Sequence, residues 1–148
     1  MRKHPVLIIA IIIFFVFFNK QFLSLDTPHD SSSSTSTYST DALISAYNNK
    51  QSDKIVTATG TVSKLLADDN NGSRHQKFIV RISPVLTVLV AHNIDLAPRV
   101  KALKKDDPIT FKGEYEWNIK GGVIHWTHHD PRGLHPAGWI KYRGKVYQ

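Results

Sequence analysis

The chain contains no cysteine. That excludes disulfides, thiolate zinc sites, a cysteine nucleophile and a lipidated N-terminal cysteine. Stability must then come from a core and a sheet. The glycine-rich phosphate loop, the Gly-x-Ser-x-Gly nucleophile elbow and the His-Glu-x-x-His zinc helix are absent as well. The most common nucleotide and hydrolase motifs are thereby removed. Acidic residues are in the minority, 12 Asp and Glu against 19 Lys and Arg, for a net charge of +7. From Asp41 to Gln148 the balance is 16 to 10. Such an excess suits either a soluble basic domain or a polyanion partner such as phospholipid headgroups or acidic glycans. No basic run is present, since Lys104-Lys105 is followed at once by Asp106-Asp107. No specific nucleic-acid partner is therefore expected.

Three regions differ in composition. Residues 1–25 carry Arg2, Lys3 and His4 ahead of thirteen uninterrupted apolar residues, Val6–Phe18. This is the pattern of an export signal. The run spans about 20 Å as a helix, short of a ~30 Å hydrocarbon core, and Phe22, Leu23 and Leu25 extend it. No small-residue cleavage site follows. Two readings stay open: a signal anchor holding the membrane through residues 6–25, or a cleaved signal peptide. The basic N-terminus would stay in the cytoplasm, placing the remainder outside the inner membrane, in the periplasm. Residues 26–40 are polar and rich in Ser and Thr. They are expected to be a disordered linker, because they have too little apolar surface to offset chain entropy.

Residues 41–148 read as one small, mostly β domain. A short helix from Thr40 or Asp41 to about Lys50 is followed by strand patterns at Lys54–Leu66, His75–Ser83 and Leu86–His92. Gly60 marks a bulge or a close approach, and Asp68–Gly72 a turn. Asp68-Asp69-Asn70-Asn71-Gly72 lacks the terminal glutamate of a calcium loop. Leu96, Val100 and Leu103 then fall at helical spacing, predicting a helix over Asp95–Lys105 with Pro98 in its first turn. A fourth strand, Ile109–Trp117, puts Ile109, Phe111, Gly113, Tyr115 and Trp117 on one face. A fifth runs from Val123 to about His128, and a short tail follows. Three strands, a helix and two strands make the order of a five-stranded OB-fold-like barrel.

Four of the eight histidines lie between His125 and His135. The candidate site is His75, His92, His125, His128, His129, Asp130 and His135, with Arg74 and Arg99 as candidate anion clamps. Imidazole and carboxylate suit a divalent transition metal such as zinc. On a regular strand His125 and His129 stand about 13 Å apart and cannot share an ion. Two ligand sets remain: His128 with Asp130 and His135, or His125 with His75 or His92. The same histidines could instead form a metal-free polar site, or simply bond to one another and to Asp130. Trp117, Trp126, Trp139, Tyr115 and Tyr142 offer stacking surfaces or core packing.

The segments Leu66-Ala67-Asp68-Asp69, Gly72-Ser73-Arg74-His75-Gln76, Ala91–Arg99, Gly113–Asn118 and His125-Trp126-Thr127-His128-His129-Asp130-Pro131 resemble a family of small exported proteobacterial proteins catalogued as a domain of unknown function. The resemblance implies an OB-like domain behind a signal segment, and no established activity. Three functions are compatible with these residues. One is a binding module for an anionic ligand or polymer, working through the histidine-rich face. The second is a hydrolase centred on His and Asp, of phosphodiesterase type. The third is a structural envelope protein.

Overall fold

The computed structural model describes residues 34–148. Among them no helix is long and apolar enough to cross a membrane. The signal or anchor expected at 1–25, and the first part of the linker, lie outside the described residues.

The helix α1, Ser34–Asn48, starts within the Ser/Thr run, earlier than the cap expected at Thr40 or Asp41. Leu43 and Ala46 are buried on its inner face and Tyr47 packs beside them. The apolar face at i, i+3 and i+4 is what holds so polar a helix against the sheet. Lys50 adopts φ 53°. Its N–H reaches the Tyr47 carbonyl and the Gln51 N–H reaches Ala46, closing the helix with a Schellman turn.

Seven strands follow: β1 Lys54–Leu65, β2 His75–Ser83, β3 Leu86–Asn93, β4 Pro108–Glu116, β5 Val123–His125, β6 Trp139–Tyr142 and β7 Lys145–Tyr147. The sheet order is β1-β2-β3-β5-β4-β6-β7, and β1 also pairs with β4. That last pairing closes β1, β2, β3, β5 and β4 into a five-stranded barrel. The barrel bears out the expected OB-like architecture, with β5 lying parallel to β3 and antiparallel to β4. β1 manages two partners by bending. Lys54–Thr61 pairs with β4 and Thr61–Leu65 with β2, with a register shift between Val62 and Lys64. Gly60 lies at the bend as a close-approach point, where a Cβ would meet the Arg81 carbonyl at 2.5 Å.

Alternation fills the interior. Val56, Ala58, Val62, Phe78, Val80, Val88, Val90, Ile109, Phe111, Tyr115 and Ile124 are buried, while their neighbours along each strand face outward. Gly113 takes an inward position on β4, where a Cβ would collide with the His125 carbonyl and crowd the Ile124 side chain. Gly113→Ala is expected to lower stability by about 1–3 kcal/mol, the usual cost of overpacking. Urea unfolding measures it, and an unchanged midpoint would mean the β4–β5 seam is looser than its register shows. The tail expected after residue 138 forms the hairpin of β6 and β7. Arg143 and Gly144 both have positive φ (49° and 75°), as its two-residue turn requires.

Two expected elements are corrected. No helix forms over Asp95–Lys105, so α1 precedes the barrel and no helix interrupts its strands. The segment folds as turns because its backbone is satisfied from outside. The Asn93 side chain accepts the Asp95 N–H at 2.9 Å. Buried Gln76 accepts the Val100 N–H at 2.9 Å and donates to the Val100 carbonyl at 3.1 Å. Ala102 and Asp106 take positive φ (57° and 69°), which no α-helix admits. Ala97, Val100 and Leu103 are buried, whereas Leu96 is exposed. The helical spacing thus anchors a loop. β5 also ends early, at His125 rather than near His128, because Trp126 turns to φ 54°.

Candidate functional site

The early end of β5 removes the alternation expected along the histidine stretch. His125 is the last strand residue, and the reversal at Trp126 brings His128 to the same cavity. His75, at the start of β2, reaches it from two strands away. Together with Ala91, Asn93, Leu96 and Trp126 they line a cavity of about 220 Å³. His75, Ala91 and His125 also line an adjoining cavity of about 390 Å³ with Asp69, Lys77, Glu116 and Val123. The two form one groove on the outward face of β2, β3, β5 and β4. The small side chain of Ala91, paired opposite Lys77, leaves the groove its depth.

The histidines differ in what their ring nitrogens do. His75 donates its Nδ1–H to the Ser73 carbonyl at 2.8 Å, and His128 donates its Nδ1–H to the His129 carbonyl at 2.7 Å. In the neutral ring both keep a lone pair at Nε2. His125 Nε2 is buried and has no hydrogen-bond partner among the described residues. It lies 3.5 Å from Glu114 Oε1 and 3.9 Å from Glu116 Oε1. β4 carries the two glutamates at i and i+2 on its outward face, and the register sets Glu114 directly opposite His125. His135 holds the other oxygen of Glu114, with Nε2 at 2.6 Å from Oε2. Its ring stacks on Trp126 at 4.1 Å between centroids, 11° from parallel. Its Nδ1–H is directed to the Pro136 carbonyl at 2.9 Å.

The remaining expected site residues lie elsewhere. His92 is fully buried. Its Nε2–H donates to the Pro98 carbonyl at 3.1 Å, and Nδ1 accepts from the Thr127 hydroxyl at 2.8 Å. Burial drives its pKa down to about 4, which keeps the ring neutral. It ties the loop after β3 to the segment after β5. Asp130 accepts the backbone N–H groups of Arg132, Leu134 and His135, and these bonds hold its carboxyl below the usual range. Its oxygens build the Pro131-Arg132-Gly133 turn. His129 is exposed. Arg74 is paired with Asp95 and Arg99 with Asp68, and each carboxylate is held low chiefly by hydrogen bonds from its arginine.

His128, Asp130 and His135 are not gathered as a ligand set, whereas His75 and His125 line the same cavity. Among the described residues, the group whose ligand atoms all lie within 4.8 Å of one another is Glu114, Glu116 and His125. Sequence reasoning missed both glutamates, since an alternating Lys112, Glu114, Glu116 row looks like a solvated strand face. A usable signal was present. Two carboxylates at i and i+2 on the strand preceding a histidine-rich strand must share a face and can share a register. No curated protein sequence matches the chain. A sequence model described as protein of unknown function, DUF3465, matches residues 29–148, so the chain belongs to that family.

Proposed function

We propose that this protein is a tethered binding module whose groove takes a small ligand that is cationic or rich in hydrogen-bond donors. The tether is the apolar segment of residues 6–25, and the domain then stands on the periplasmic side of the inner membrane. The observation that carries the ligand reading is the state of His75 and His128. Both spend their Nδ1–H on neighbouring backbone carbonyls, so the neutral ring offers an acceptor at Nε2, in a wall that also carries Glu116 and an Asp69–Lys77 ion pair. With Lys77 engaged by Asp69, the acceptors left in the groove are complementary to donors.

The overall charge argues the other way, being +7 for the chain. Local groups outweigh it, because charges beyond a Debye length of about 8 Å are largely screened. The two arginines expected as anion clamps are also engaged by Asp95 and Asp68. The hydrolase reading is less favoured, since the Asp130 carboxylate is engaged by three backbone N–H groups.

A ligand-observed NMR screen tests this by comparing amine and amidine fragments with carboxylate and phosphate fragments. Amines should bind, compete with one another, and be lost in His128→Ala and in the more exposed His75→Ala. Equal binding of anionic fragments, or hits indifferent to both substitutions, would overturn the reading.

A further inference from the structure

We propose that Glu114, Glu116 and His125 bind a divalent first-row transition-metal ion of the zinc class. This deepens the groove reading by naming one ligand, and it rests on that reading for the ion's accessibility. Ligand atoms about 2.0–2.2 Å from a tetrahedral ion stand about 3.3–3.6 Å apart. The separations of 3.5 and 3.9 Å from His125 Nε2 to the two carboxylates are already close to that spacing. All three ligand atoms lie within 4.8 Å of one another, so a side-chain adjustment of the two glutamates would close them around an ion.

Three further observations converge on the same point. His125 Nε2 is buried without a hydrogen bond, a position that is destabilising unless something fills it. No Lys or Arg among the described residues forms an ion pair with either glutamate, although they sit side by side. And Glu114 is oriented from behind: His135 grips Oε2, Trp126 stacks on His135, and Oε1 is left on the His125 side. Holding a ligating carboxylate by a second hydrogen bond is how proteins fix metal ligands in place.

The donor set selects the ion. One imidazole with two carboxylates suits zinc and its neighbours. Calcium would need six to eight oxygens. Three protein ligands leave a fourth position open, as in zinc sites that bind a further molecule. Glu116 and His125 both line the larger cavity, so that position opens into the groove. A donor-bearing ligand would meet His75 there, and one with an electron pair would reach the ion.

The test uses the full chain, without affinity histidines, stripped by chelator and titrated with Zn²⁺ against a chromophoric chelator. One ion per chain is expected. Glu116→Gln and His125→Asn should each weaken binding by about tenfold or more. Glu116 is 38 % exposed in its side chain, so Glu116→Gln should melt like the parent without metal. Absence of saturable zinc binding would overturn the proposal. So would binding undiminished in both variants, or binding lost only in His75→Ala and His128→Ala. Fragment binding that persists without zinc binding would refute the metal site and leave the groove standing.

Discussion

Acidification from pH 7 to pH 4 should remove about 3 kcal/mol of stability through His92 alone. Burial brings its pKa down to about 4 in the folded protein, from the 6.5 of an ordinary histidine. The folded pKa of this base lies below the unfolded one, so between pH 6.5 and 4 the unfolded chain binds more protons. Stability must then rise with pH across that window, be complete above it, and be lost as pH falls through it. The gap of roughly 2.5 between the two pKa values, at about 1.36 kcal/mol per tenfold change, sets the size. The cause is burial, because the ring is fully enclosed and its neutral form already satisfies Pro98 and Thr127. The carboxylates of Asp68, Asp95 and Asp130, all held low, lose their contributions further down the scale. Urea unfolding of the parent and of His92→Gln at a series of pH values separates the two. The variant should be less stable at neutral pH and should lack the slope between 6.5 and 4. An identical slope in both proteins would assign the titration to other groups.

Gln76→Leu should cost about 2–4 kcal/mol. The substitution adds apolar volume where a buried amide makes two hydrogen bonds to Val100. Both backbone groups of Val100 would be left without those partners in a buried position, and each unmet group costs about 1–3 kcal/mol. The damage should be local as well as global. Hydrogen exchange at Val100 and across the loop of residues 94–107 should accelerate more than exchange in β1. Gln76→Glu separates shape from donation, since it retains the acceptor for the Val100 N–H and loses the donor. A Leu variant as stable as the parent would show that water replaces the clamp.

These two residues also mark where the sequence was legible and where it was not. Strand positions were readable because Phe78 and Val80, Val88 and Val90, and Ile109, Phe111 and Tyr115 alternate with polar neighbours, a two-residue period that helices do not produce. The closed barrel followed from their order. The loop after β3 was not readable. Val100 and Leu103 keep a helical spacing, and what prevents the helix is Gln76, remote in sequence and matched to Val100 only once β2 and β3 are paired. The site was half readable. The density of histidine pointed to one surface, where His75, His125 and His128 line the same cavity. Regular alternation past His125 failed because Trp126 adopts a left-handed conformation that a tryptophan seldom takes. Asp130 looked like a ligand among histidines. Its place before Pro131-Arg132-Gly133 is equally the signature of an Asx turn, and the backbone uses it that way. Glu114 and Glu116 gave no signal of their own, because their role depends on the register between β4 and β5.

The double pairing of β1 has a kinetic consequence. β1–β2 and β2–β3 join neighbours in the chain and need only short loops closed. β4–β5 is likewise a pairing of neighbours, with Glu114 opposite His125, whereas β1–β4 joins Lys54 to Tyr115 and β3–β5 joins Leu89 to Val123. Contacts so distant in sequence repay their loop-closure entropy late, and barrels of this kind fold in milliseconds to seconds. The meander of the first three strands should therefore assemble first, with His75 already in place. The Glu114–His125 pair can form within the β4–β5 hairpin, but His75 shares a groove with it only after β3 and β5 lock together. During refolding, the meeting of His75 with His125 would be the clock of barrel closure, and a chain stalled at the meander would carry half a groove.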